Sequence, residues 1–447
     1  MSIRSILLKN AGAGAWSKVS IILVRIVQVP LLLSILGVDD FGRWTVLYSL
    51  PSWLNLTNMG FGNVAANDMA MSSAAGDLPA ARQAFATASG LILAIGVVGI
   101  GLISAVVPFL PWCAFLKAPV ARHDEIVRGV LFLSASIFVT FFLDVSLGRF
   151  RAARKTHTSV LICSFFPWID LLALMVTLPF THRFDFLGLS LLGSTLVCCV
   201  VYQWLSRRAI PSIVFNLRDF RRERLPGLFR KGLAFQAFPL GNALLYQASI
   251  MIVQAVLGPA SVAIYSTTRT LVRTVNQSME LVNASIWPEL SRLFGLGELK
   301  KASRLHRVSV EITLLLSFGG VLFLAIFGPW LYHLWVGKSL TLSRPLMIVF
   351  LLPIPFNALW FTSSVVHMAT NQHAGLARRY LGAALLSAIS CYFLARFAGL
   401  EGAALSSLVM DLLLIPYVLK HSLYLTGDSW HEFIRGRELL TWKKRIA

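Results

Sequence analysis

Between Gly14 and Leu425 the chain alternates long, mostly apolar runs with short polar ones. Each apolar run is roughly 20 to 28 residues, and about 20 residues of helix are what a hydrocarbon core requires for a full crossing. Inside lipid every backbone N–H and C=O must be paired within its own segment, so runs of this length are predicted to be helices. The pattern predicts twelve spans, at about 14–36, 41–66, 84–111, 126–148, 158–180, 184–206, 233–257, 262–288, 308–336, 340–366, 375–398 and 401–424. The expected fold is an all-α polytopic membrane protein.

The pattern also repeats. A shift of 221 residues aligns Leu36-Gly37 with Leu257-Gly258, Trp44 with Tyr265, and Gly76-Asp77-Leu78 with Gly297-Glu298-Leu299. A slightly smaller shift aligns His157 with His373 and Gly188 with Gly402. An even number of spans in each half keeps both halves in one orientation, so the expectation is two pseudo-symmetric six-helix lobes around a central cavity. Duplicated halves of this kind are a transporter architecture with the substrate site near the midplane. The boundaries expected are an N-lobe over 1–206, a basic linker over 207–232, a C-lobe over 233–424 and a basic tail over 425–447.

Composition agrees with the pattern: 56% of residues are hydrophobic, 13% are charged, and the mean hydropathy is +0.72. A formal net charge of +20 would suggest nucleic acid in a soluble protein. Here most Lys and Arg fall at the N-terminus, around Arg82, Arg149 to Lys155, Arg207 to Lys231, Arg292 to Arg307 and Arg378-Arg379, and in the tail. All of these share one side if the spans are as drawn. The positive-inside rule then places both termini in the cytoplasm, with anionic membrane lipid rather than nucleic acid as the partner of the charge. The five cysteines lack C-x-x-C spacing and read as buried free thiols. No metal-ligand spacing and no catalytic constellation stands out. Gly337-Lys338-Ser339 ends like a phosphate-binding loop, but Tyr332 occupies the position of its first glycine, so no nucleotide site is expected.

Polar residues inside spans carry the candidate chemistry, because each costs free energy in lipid. On span eight, Arg269, Arg273, Asn276, Glu280 and Asn283 fall at i, i+4, i+7, i+11 and i+14, one helical face. Span one carries Lys18 and Arg25, span two Tyr48, Ser52 and Asn55, and span seven Asn242, Tyr246 and Ser249. Spans one, two, seven and eight therefore line a cationic cavity in this reading. Arg25, Arg269 and Arg273 are candidates for binding an anionic group, since a guanidinium pairs bidentately with phosphate and stays charged. Tyr48, Asn55, Tyr246 and Asn276 would add hydrogen bonds. The competing reading pairs each Arg with Glu280, Asp170 or Asp411 to fix packing. Asp170, Asp411 and Glu280 are alternatively candidates for coupling transport to H+ or Na+. Asp144, Arg149 and Arg151 read as an interfacial ion pair.

Leu36-Gly37 with Phe41-Gly42 and Trp44, Gly60-Phe61-Gly62, Leu257-Gly258 with Tyr265, Trp335-Val336-Gly337, and Gly188 and Gly402 give the chain its likeness to a known group. It resembles the polysaccharide transporter or O-antigen translocase (Wzx-like) branch of the multidrug, oligosaccharidyl-lipid and polysaccharide (MOP) exporter superfamily. The resemblance implies two lobes forming a V in the bacterial inner membrane. It also implies an undecaprenyl-pyrophosphate-linked oligosaccharide as substrate, flipped from the cytoplasmic to the periplasmic leaflet for O-antigen, exopolysaccharide or capsule, with polysaccharide-assembly proteins as partners and no cofactor. Asn58 departs from it, standing where relatives often show aspartate. The two extra C-terminal helices of the lipid II flippase branch have no counterpart, which argues against a peptidoglycan precursor. A cation-coupled multidrug exporter of the same fold is the nearest alternative. A membrane-embedded polymerase or ligase is another, although such enzymes usually display a large periplasmic loop and the longest outer connection expected here is about Pro111 to Glu125.

Overall fold

The computed structural model describes residues 3–337, 339–370 and 372–435, so Lys338 and most of the expected 425–447 tail lie outside the described residues. Among the described residues all regular structure is helical, and nine helical stretches are long and apolar enough to cross a membrane. Two of these, Gly12–Asn58 and Ala374–Thr426, each contain two passes joined at a break. Pro259–Gly295, whose polar face lowers its hydropathy, completes the twelve. The chain divides into two compact units, Met1–Pro239 and Leu240–Ala447.

In the first unit α1 (Ile3–Ser49) is broken at Gly37, whose φ of 76° and ψ of 174° only glycine adopts readily. There follow α2 (Pro51–Leu54), a 3-10 turn (Asn55–Asn58) and α3 (Phe61–Ala74). Span two, expected as one helix over 41–66, is thus interrupted between Leu50 and Gly60. The cause is local: Pro51 opens α2, and Met59 and Gly60 both take left-handed φ values, 45° and 65°. After α4 (Leu78–Val106) and α5 (Trp112–Leu116) comes α6 (His123–Ala152), the helix against which α3, α4 and α9 (Phe184–Ala209) all pack. Glycines allow this closeness: a Cβ at Gly62 would strike the Asp144 backbone, and one at Gly188 would press on Gly129. Span five is two helices, α7 (Thr156–Ser164) and α8 (Phe166–Thr177), with Pro167 in the first turn of the second.

The segment expected as a basic linker over 207–232 packs on the first unit. Ile213 is fully buried, the Arg221 amide donates to Thr87 Oγ1 at 3.1 Å, and Arg224 reaches Gln83. It leads into α10 (Leu225–Phe235), where Phe229 meets Phe61, and then into α11 (Ala237–Asn242). A correction concerns Asp144, Arg149 and Arg151, expected as an interfacial ion pair, which do not pair with one another. Asp144 accepts from Asn58, Arg151 donates to Asn63 and Asn67, and Arg149 donates to Gln203 and Ser206 while lying over the Phe85 ring. Asn and Gln amides and the Ser206 hydroxyl, mostly on neighbouring helices, take the hydrogen bonds of all three.

In the second unit a π-helical turn (Ala243–Ala248) precedes α12 (Ser249–Leu257). Gly258, at φ 97° and ψ 178°, then breaks the chain as Gly37 does 221 residues earlier. The next helices are α13 (Pro259–Gly295), α14 (Leu299–Val336), α15 (Arg344–Leu351) and α16 (Pro353–Ala369). Pro353 divides span ten, as Pro167 divides span five. The chain continues into α17 (Ala374–Thr426), broken at Ala398 and Gly399, and α18 (Trp430–Arg435). Gly76 and Gly297, also 221 apart, share left-handed φ values of 78° and 71°. The sequence repeat is therefore a repeat of backbone conformation.

Candidate functional site

The second unit contains a pocket with about 660 Å³ of empty space, formed where the π-helical turn, α13, the α15–α16 junction and α17 face one another. Its wall includes Tyr246, Arg269, Arg273, Asn276, Asn357 and Asp411. Four of the seven residues expected to bind substrate, and one of the three expected to couple an ion, thus converge here. The i, i+4, i+7 spacing aims Arg269, Arg273 and Asn276 from one face of α13. The same face carries Glu280 and Asn283 further along, but neither lines the pocket. Asn283 is buried with neither amide atom hydrogen-bonded, and Glu280 has interactions with other protein groups.

How the arginines are held decides between the two sequence readings. Arg269 Nη1 donates to the Tyr246 backbone carbonyl at 3.0 Å, and its guanidinium lies 5.2 Å from the Tyr265 ring centre. Arg273 lies 4.6 Å from the centre of the Tyr246 ring and is exposed. Aromatic faces stabilise a cation by about 0.5 to 2 kcal/mol, depending on desolvation, without neutralising it. Among the described residues neither guanidinium is in an ion pair with a carboxylate. The expectation that Glu280, Asp170 or Asp411 neutralises them to fix packing is not met. Keeping a guanidinium inside a span costs roughly 2.5 to 3.5 kcal/mol on insertion scales, and among the described residues no ion pair with a carboxylate offsets it.

Asp411 shares the pocket but belongs to a different network. Its Oδ1 accepts from Trp360 Nε1 at 2.7 Å and from Asn357 Nδ2 at 3.1 Å. Both donors lie on α16, one turn apart, placed there by the new helix that Pro353 starts. Asp411 is buried, and its partners are neutral donors rather than a cation. Asn357 and the π-helical turn were missed by sequence reasoning. The signal available was the i, i+3 spacing of Asn357 and Trp360 in an otherwise apolar span.

The first unit carries a second polar group of residues. Arg25 on α1 is exposed, and Arg25 and Asp170 both lie close enough to Tyr48 for their charges to act on its hydroxyl. Asp170 accepts a hydrogen bond from Ser194 on α9. Asn55 is exposed in the 3-10 turn of the interrupted span. Arg25, too, is in no ion pair among the described residues. The five cysteines are free thiols, and no group of three or more His, Cys, Asp or Glu fit to hold a metal occurs among the described residues.

No protein-family model and no curated protein matches the chain. Solved structures do. A multidrug resistance MATE family transporter of the MOP superfamily in an inward-facing conformation aligns with 91% of this chain and 96% of its own, at 17% identity and a TM-score of 0.73. An outward-facing structure of such a transporter aligns over 95% and 97%, at 14% identity and a TM-score of 0.66. A MOP superfamily transporter from Pyrococcus furiosus, described as having a binding pocket of reverse polarity that suggests a different function, aligns over 94% and 96%, at 13% identity and a TM-score of 0.63. The chain is a multi-span membrane protein with the fold of the MATE family transporters of the MOP superfamily.

Proposed function

We propose that the protein is a membrane transporter for an anionic lipid-linked glycan, an undecaprenyl-pyrophosphate-linked oligosaccharide carried across the bacterial inner membrane by alternating access. The observation that supports this most is the pair Arg269 and Arg273, set in a membrane-embedded pocket with no carboxylate partner. Two guanidiniums four residues apart match the two phosphoryl groups of a pyrophosphate in charge and in donor geometry. Asn276 and the Tyr246 hydroxyl supply hydrogen bonds to the sugars, while the prenyl chain stays in lipid. Arg25, with Tyr48 and Asn55, offers the head group a second cationic station on the first unit. Asp411 and Asp170, each held by neutral donors, are the groups through which H+ or Na+ drives the cycle; Glu280 is the third candidate. The reading requires no cofactor, and both termini face the cytoplasm.

A second reading, a cation-coupled multidrug exporter, draws on the names of the neighbouring structures and on Asp411, which could hold a cationic drug. Two arginines against one carboxylate in the same pocket favour the anion. Arg269→Ala and Arg273→Ala, made separately in the native host, should each lower surface polysaccharide by about tenfold or more at unchanged protein level. Unflipped lipid-linked glycan should accumulate in the membrane. Full surface polysaccharide in both variants, or a deletion strain altered only in drug susceptibility, would turn the assignment to the exporter.

A further inference from the structure

The interruption in span two contains a group that the transport reading leaves unused. Asn58, in the 3-10 turn, is only 6% exposed, and its Nδ2 donates to Asp144 Oδ2 on α6 at 2.6 Å. Its Oδ1 is buried without a partner, as are Trp53 Nε1 beside it and Ser146 Oγ on α6. Asp144 has no ion pair among the described residues. The cation whose charge acts on it, Arg151 on the same helix, donates to Asn63 and Asn67 of α3. The other titratable groups its charge reaches are Cys163 on α7 and Tyr202 on α9, the latter hydrogen-bonded to Ser159. A half-buried carboxylate thus has one neutral amide as its hydrogen-bond partner and no ion pair, an arrangement in which burial favours proton uptake and the charge-assisted amide contact opposes it.

What that amide holds is a strained backbone. Met59 is a non-glycine residue at φ 45°, and the left-handed region disfavours side chains. The residues 221 later, 272–281, form uninterrupted helix within α13. One repeat unit therefore shows the same element in two states, broken in the first half and continuous in the second. We propose that Asp144 is a proton site of the first unit, and that its protonation releases the break at Asn55–Gly60 toward the continuous helix seen in its repeat counterpart. The site is distinct from Asp170, Asp411 and Glu280 and does not depend on the identity of the substrate. In the ionised state the Asn58 contact is charge-assisted and keeps the break. In the protonated state it becomes a neutral contact, and the strain at Met59 is no longer opposed.

Hydrogen exchange read by mass spectrometry on the full chain in lipid nanodiscs tests this, with rates corrected for the pH dependence of chemical exchange. Between about pH 8 and pH 5.5 the amides of 56–63 should slow at least threefold in the wild type as they enter helix. Asp144→Asn should show the slow rates at both pH values, and Asn58→Ala, which removes the amide but keeps the carboxylate, should do the same. A wild-type segment whose protection does not change with pH overturns the proposal. So does an Asp144→Asn variant that retains the wild-type pH response. Should Asp144→Asn fail to fold, Asn58→Ala decides alone: slow exchange at both pH values supports the site, and wild-type behaviour refutes it.

Discussion

Arg269 and Arg273 are four residues apart on one helix yet are held differently, and the difference separates fixed from mobile charge. Arg269 is tied by a hydrogen bond to the Tyr246 carbonyl; Arg273 rests on the Tyr246 ring and faces open space. Lysine at 273 keeps the charge but loses the planar fork and its stacking. Arg273→Lys is therefore expected to lower transport by about tenfold, in the same direction as alanine. Tyr246 contributes a backbone oxygen and a ring face to the two arginines and a hydroxyl to the sugars, so Tyr246→Phe should lower transport only about threefold while Tyr246→Ala falls about tenfold. Initial transport rates of the three variants at matched protein level check both statements. A Tyr246→Phe variant as impaired as Tyr246→Ala would place the hydroxyl, rather than the ring, at the centre of recognition. At this scale the sequence was informative about α13, because helical spacing alone puts Arg269, Arg273 and Asn276 on one wall. It marked Asp411 as a candidate but was silent about its partners Asn357 and Trp360, which come from another helix and are met only in the folded chain.

Among the elements, the breaks matter more than the helices. Gly37 and Gly258 occupy the same glycine-only region of backbone conformation. Gly37→Ala and Gly258→Ala should each destabilise the protein by about 1 to 3 kcal/mol, visible as a lower midpoint of thermal unfolding in detergent. Gly382→Ala, in a helix with open space around it, should leave the midpoint unchanged or raise it. Equal midpoints for all three would mean that the repeated break is not conformationally required. These glycines were legible because a positive φ restricts the residue type. The interruption between Leu50 and Gly60 was not, since proline is at home in a helix's first turn and methionine at a left-handed position leaves no compositional trace. For the same reason Pro30 and Pro416 sit inside unbroken helical runs while Pro51, Pro167 and Pro353 open new helices. Packing around each proline decides which.

For the whole molecule, hydropathy and period were enough to give twelve passes and a duplicated chain, because the cost of unpaired backbone groups in lipid leaves few alternatives. The polarity of the pocket wall is what departs from the MATE-like fold's association with multidrug transport: two uncompensated guanidiniums stand against one carboxylate already held by Trp360 and Asn357. A fold hosts many substrates, and charge within its cavity selects among them. The most direct measurement is therefore flipping itself. Purified protein in liposomes, loaded with a fluorescent undecaprenyl-pyrophosphate-linked oligosaccharide, should carry it between leaflets, and Arg269→Ala/Arg273→Ala should slow that transfer by about a hundredfold. Transfer of the same lipid at equal rates by wild type and double variant, or transport of cationic drugs with no transfer of the lipid, would contradict the account.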